Sequence, residues 1–228
     1  MQGKHTLTGL VLLGALAAAQ LAPVAGAAPQ GGEPVTQGQH LQIVAEPLSA
    51  QEQADILFMR EEENLARDVY LYQFDLWSYP VFDNIAASEQ RHMDSMAELI
   101  DSYALVDPVV DDSAGAFTDP GLASLYIELT TRGQASLLEA LRVGAFIEET
   151  DMRDIRTAID NAAHADIVQT YENLLRGSRN HLRAFVRTLE SMGVVYEAQV
   201  LTQSEVDEIV DSPTERGATG GTSVSTAP

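Results

Sequence analysis

The chain contains no cysteine. Disulfide staples, thiolate nucleophiles and cysteine-ligated iron–sulfur clusters are therefore excluded, and stability must come from an apolar core, with or without a metal. Lysine is almost absent too. Lys4 is the only one, and 13 basic residues face 34 acids, a formal charge of −21. So acidic a chain argues against nucleic acid and anionic lipid as partners. Solubility and cation attraction both explain the surplus, and charge alone does not choose between them. Strand signals are weak, and there is neither a glycine-rich phosphate loop nor a serine-elbow motif.

Long apolar runs are confined to the beginning. Lys4 and His5 precede the run Leu10–Ala19, and small residues follow at Ala25-Gly26-Ala27. This order of charged, apolar and small residues predicts a cleaved signal peptide over residues 1–27, and hence a secreted or periplasmic protein. A retained anchor is the alternative, but the run is short for a membrane span. No other run approaches that length, so no membrane span is expected in the mature chain. Residues 28–48, rich in Gly, Gln and Pro, read as a linker, and residues 212–228, rich in Gly, Ser and Thr, as a disordered tail. One domain over residues 49–211 remains.

Within that domain helix signals dominate. Ser49-Ala-Gln-Glu52 fits a capping box and starts a first long helix that can run to Leu76, with Pro80 marking a break. A second spans about Asn84 to Tyr103. A loop with Pro108, Gly115 and Pro120 leads to a short helix, Leu122 to Thr131, closed by Gly133. Ser136-Leu-Leu-Glu139 opens the third long helix, which continues to Asn161. The fourth covers Asp166 to Met192 and stops at Gly193, and a short helix from Gln203 to Val210 follows. Four long helices with a longer central connection predict an all-α four-helix bundle with one crossover carrying a short helix.

Each long helix has an apolar stripe, and polar residues interrupt every stripe near its middle. The first reads Ile56, Met59, Glu63, Ala66, Tyr70, Phe74; the second Ile85, Glu89, His92, Met96, Leu99, Tyr103. The third reads Leu137, Leu141, Gly144, Glu148, Asp151, Ile155, and the fourth Ile167, Tyr171, Leu174, Ser178, His181, Phe185. Core packing does not ask for carboxylates and imidazoles there, whereas a divalent metal site does, and a spacing of three places two ligands on one helix face. Clustered carboxylates repel unless cations neutralise them. Once the leader is removed four histidines remain, and two of them, His92 and His181, lie on these stripes.

Each residue also has a bland reading. Glu63 lies in the acidic run Glu61-Glu62-Glu63, which could be a solvated face, and either Glu148 or Glu149 could point inward. His181 alone could be an ordinary hydrogen-bonded histidine. Tyr70, Tyr103 and Tyr171 are candidates to orient ligands by hydrogen bond, or are simply core.

The stretch Glu63-Asn-Leu-Ala-Arg-Asp-Val-Tyr70 resembles the first-helix pattern of rubrerythrins, and Glu89-Gln-Arg-His92 resembles the Glu-x-x-His of the ferritin-like superfamily. The chain from Ser49 to Ile209, including "NIAASEQRHM" and "YENLLRGSRNHLRAF", is similar to an uncharacterised family of prokaryotic ferritin-like domains. The resemblance implies metal ligation by Glu63, Glu89, His92, Glu148, Asp151 and His181. Iron is the implied metal, two ions per site, with manganese or another divalent ion as the substitute. Ser178 departs from the pattern, standing where the family carries the Glu of its second Glu-x-x-His. Glu172, nine residues before His181, faces the other side of its helix and does not replace it. No paired-cysteine rubredoxin module is attached.

Two expectations follow. The first is a di-iron or di-manganese carboxylate protein acting on Fe²⁺, O₂ or peroxide, a ferroxidase- or peroxidase-type oxidoreductase whose partners are metal ions and a small oxidant. The second is a non-catalytic envelope binding protein on the same bundle, with one metal or none. A homodimer is compatible with either.

Overall fold

The computed structural model describes residues 47–216. The expected signal peptide, most of the linker and residues 217–228 of the expected tail lie outside that span. Among the described residues there are six α-helices and no strand: α1 (Ala50–Trp77), α2 (Pro80–Ser102), α3 (Pro120–Gly133), α4 (Leu137–Asn161), α5 (Ala165–Ser191) and α6 (Gln203–Asp211). None of these helices is long and apolar enough to cross a membrane.

Local chemistry sets the boundaries. Ser49 and Glu52 form the expected reciprocal capping box at α1, and Ser78 ends that helix in the left-handed conformation with its N–H on Phe74 O. Pro80 is not a break before the second long helix but its first residue. A helix leaves its first N–H groups unbonded, so proline loses nothing at that position. Asp119 caps α3 by accepting from Gly121 N and Leu122 N. Gly133 does not close α3 as a left-handed cap, since the capping residue is Gln134 in right-handed geometry. Gly133 is small for a different reason: a Cβ there would lie 1.9 Å from Gln73 Nε2. At Ser136 only half of the expected box forms, because the Glu139 carboxylate turns to Arg132 and Arg142. Gly193, at φ +79°, stops the chain after α5 as expected.

The four long helices pack pairwise, α1 on α2 and α4 on α5, with α1 also against α4 and α2 against α5. Their apolar residues form two clusters, one towards each end. The first takes Leu65 to Tyr70 of α1, Phe82 to Ala86 of α2, Ala140 to Ile147 of α4 and Leu182 to Leu189 of α5. The second takes Ile56 and Met59, Met96 to Ile100, Ile155 and Ala158, and Ile167 to Leu174 of the same helices in turn. The order of the clusters along each helix gives its direction. Chains α1 and α5 run one way, α2 and α4 the other.

Because α2 and α4 point the same way, their connection must return along the length of the molecule. It does so through α3, which packs on α1 and α4. The return is tied down by side chains of α1. Arg60 donates to the Asp107 carboxylate, Asp68 accepts from Gly115 N at 2.9 Å, and Glu61 accepts from the N–H groups of Thr118 and Asp119. Residues 212–216 lie along α5, where Glu215 pairs with Arg179 and Arg183.

Candidate metal centre

Between the two apolar clusters lies a polar layer. Glu63 of α1, Glu89 and His92 of α2, Glu148 and Asp151 of α4, and Ser178 and His181 of α5 are all buried, none more than 8% exposed. Helical periodicity carries them inward: on α1, α2 and α5 they lie between residues of the first cluster and residues of the second, and on α4 Glu148 and Asp151 lie between Gly144 and Ile155 on the same face. None of the acids Glu61, Glu62 and Glu63 is solvated.

The ligand-type atoms gather in two trios. Glu63, Glu89 and His92 offer one atom each within 4.8 Å of one another, and so do Glu89, Glu148 and His181. Glu89 belongs to both. Its Oε2 lies 2.8 Å from His92 Nδ1 and its Oε1 2.8 Å from His181 Nδ1. Glu63 Oε2 is 3.2 Å from His92 Nδ1, and Glu148 Oε2 is 3.4 Å from His181 Nδ1. The two imidazoles stack with ring centres 5.4 Å apart.

Several of these atoms approach without forming a hydrogen bond. Glu63 Oε1, Glu89 Oε1 and His181 Nδ1 are fully enclosed and have no hydrogen-bond partner, although Glu89 Oε1 and His181 Nδ1 are close. The short separation therefore reflects two ligand atoms sharing a space rather than a donor aligned on an acceptor. Enclosed atoms of this kind are costly unless an ion or water meets them.

The electrostatics carry the same tension. Burial pushes the Glu63 carboxyl up to about 7, with His92 opposing and Glu89 reinforcing the rise. Burial likewise lifts Glu148 to about 7 against the pull of His181. Glu89 goes the other way: despite burial, His181 and His92 hold it well below the usual carboxylate range. Against burial, Glu89 and Glu148 raise His181 to about 10, and Glu63 and Glu89 raise His92. In the metal-free site the protonated imidazoles supply the compensating positive charge; a divalent ion would take over that role.

Glu148, not Glu149, faces this layer. Glu149 turns to the segment before α6, accepting from Tyr196 OH and from the N–H groups of Gln199, Val200 and Leu201. Tyr70 donates to Glu148 Oε1 at 2.6 Å and so fixes that carboxylate. The other two tyrosines do not join the site: Tyr103 donates to Asp166, and Tyr171 is buried in the second apolar cluster. Asp151 belongs to neither trio. Its Oδ2 accepts from Ser178 Oγ at 2.5 Å, while its Oδ1 has no partner.

Sequence reasoning missed two participants. Gly177 faces His92, and a Cβ on it would lie 2.4 Å from the ring's Nε2. Its signal was an unexplained glycine in mid-helix, one turn before His181. Glu62, hidden in an acidic run, packs beside Asp154 and lies within electrostatic reach of Asp151.

An all-helical domain whose central layer is built from buried carboxylates and imidazoles is the class this fold and site define. Residues 52–213 match the family described as "Uncharacterized protein domain (DUF2202)", and the chain belongs to that family. It is 46% identical over 172 residues to the uncharacterized protein MJ0754 of Methanocaldococcus jannaschii, covering 75% of this chain and 93% of that protein. The crystal structure of hypothetical protein MJ0754 superposes with a TM-score of 0.73 at 45% identity, over 75% of this chain and 97% of the other.

Proposed function

We propose that this protein is an exported ferritin-like four-helix-bundle protein that holds two divalent metal ions, iron or manganese, in its central layer. Glu63, Glu89 and His92 would hold one ion and Glu89, Glu148 and His181 the other. The observation that carries the reading is the shared Glu89: a buried carboxylate with one oxygen on each imidazole, at 2.8 Å both times. Three carboxylates and two neutral imidazoles suit iron or manganese. The opposed directions of the long helices, with a crossover between α2 and α4, support the ferritin-like assignment.

Such a pair of ions supplies Lewis acidity and redox equivalents for oxidising Fe²⁺ or reducing O₂ or peroxide. The protein's own part is positioning. Tyr70 holds Glu148 through Oε1 and leaves Oε2 for the site, and the two apolar clusters keep bulk water from both ends of the layer. An ion at the trios would compete with one proton on each of His92 and His181, so binding would release protons and weaken as pH falls.

A second reading, a non-catalytic binder with one ion or none, is favoured by Ser178. Its hydroxyl donates to Asp151 Oδ2 and Leu174 O, and α5 brings no carboxylate to the polar layer. Anaerobic incubation of the mature protein with excess Fe²⁺ or Mn²⁺, followed by desalting and metal analysis, separates the two. About two ions per chain are expected for the first reading, and a metal-free protein at excess metal refutes it. Fe²⁺-oxidation and peroxide assays then decide on catalysis.

A further inference from the structure

Buried acids in this domain fall into two kinds. Glu52, Glu61, Asp68 and Glu149 each accept hydrogen bonds from dedicated donors, mostly backbone N–H groups or arginine. Glu62 and Asp151 fit that pattern only by half: Asp151 Oδ2 accepts from Ser178 Oγ and Glu62 shares a hydrogen bond with the Asp154 carboxylate, but neither meets a backbone N–H or an arginine. Each is only 5% exposed, yet Glu62 Oε2 and Asp151 Oδ1 are enclosed with no hydrogen-bond partner. Neither belongs to the two trios. Arg153 donates twice to Asp154 at 2.8 Å from a half-exposed position and reaches Glu62 through its charge alone, with no hydrogen bond to it.

Place in the fold gives these two acids a direction. A surface groove of about 140 Å³ opens on the α1–α4 seam, flanked by Asp55, Phe58 and Met59 of α1 and by Asp154 of α4. Phe58 and Met59 lie one turn from Glu62 and Glu63, and Asp154 lies one turn from Asp151, so the same helix faces continue from groove to polar layer. Acids therefore follow one another inward: Asp55 and Asp154 at the groove, Glu62 and Asp151 behind them, Glu63 and Glu148 at the trios.

We propose that Glu62 and Asp151 form a transit position for divalent cations, passing ions from the α1–α4 groove to the two trios. Two carboxylates neutralise one such ion, but they are too few ligands to retain it, which is what a way-station requires. This rests on the metal-binding reading above.

The test is the rate of Co²⁺ loading, followed in stopped flow by the visible absorption of the bound ion, with final stoichiometry measured separately. Glu62→Gln keeps shape and removes charge. It should slow loading by about tenfold or more while the end-point stays that of the wild type. Asp154→Asn, at the groove, should slow loading in the same direction, and circular dichroism and thermal melts confirm that each variant is folded. A wild-type rate in Glu62→Gln, with wild type still loading two ions, overturns the transit position and leaves the metal centre standing. That result would identify Glu62 as merely a buried neutral acid. A wild type that takes up no Co²⁺ overturns the metal centre itself, and the transit position with it.

Discussion

Gly177→Ala tests the geometry of the centre most sharply. The added Cβ would lie 2.4 Å from His92 Nε2 and 2.6 Å from Cε1, where unstrained contacts of carbon fall near ~3.5–4.0 Å. An overlap of more than 1 Å forces the ring aside. His92 cannot move without changing its approaches to Glu89 at 2.8 Å and to Glu63 at 3.2 Å. Two energies compete in the metal-free protein: alanine gains about 1 kcal/mol of helix propensity over glycine, and overpacking costs about 1–3 kcal/mol. Metal-free stability should therefore fall by no more than about 2 kcal/mol. Metal binding should suffer far more, because the trio with Glu63 loses its only imidazole while the trio with Glu148 and His181 remains. Stoichiometry in a Mn²⁺ or Co²⁺ titration should drop from two to one, or affinity at one position by about 10–100-fold, the loss seen when ligand orientation is disturbed. A variant that melts higher than wild type by the full helix-propensity gain and still binds two ions unchanged would show that the ring has free room, and would refute the reasoning.

Other outcomes follow from the same contacts. On the proposed two-ion reading, Glu89→Gln should abolish binding at both trios and His181→Ala at one, as read by metal analysis of the desalted proteins. Glu149→Ala should cost on the order of 2–4 kcal/mol in urea denaturation, since four donors lose a buried acceptor, while leaving metal stoichiometry unchanged. Glu52 provides a pH test away from the centre. Burial raises its carboxyl, but His164, the N–H groups of Ser49 and Ala163 and the Ser49 hydroxyl outweigh it and hold it at about 2. A lowered folded value means stability present above the unfolded value of 4.5 and lost as pH falls from there towards 2. Solvent screening at this helix end reduces the effect, so the loss should be on the order of 1 kcal/mol, and acid titration of Glu52→Gln should lack it.

Much of the fold was legible because helices advertise themselves locally. The Ser49–Glu52 box, the glycine stop at Gly193 and the apolar stripes all depend on neighbours within a turn or two. Errors fell where one residue type serves two roles. Pro80 can break a helix or begin one, and Gly133 can adopt a left-handed cap or simply make room, here for Gln73. Candidate site residues were legible where they broke an apolar stripe. Gly177 and Glu62 were not, because the first matters only through a ring from another helix, and the second is indistinguishable in sequence from its neighbours Glu61 and Glu63.

The sequence by itself determined the helices, their buried faces and the presence of acids and imidazoles midway along each of the four longest. Tertiary structure alone decided which of those groups share a point. Periodicity fixes a side chain's angle about its own helix but not its height against a partner, and that height put Glu89 between His92 and His181. It also turned Glu149 to the α6 segment and left Asp151 beside Ser178.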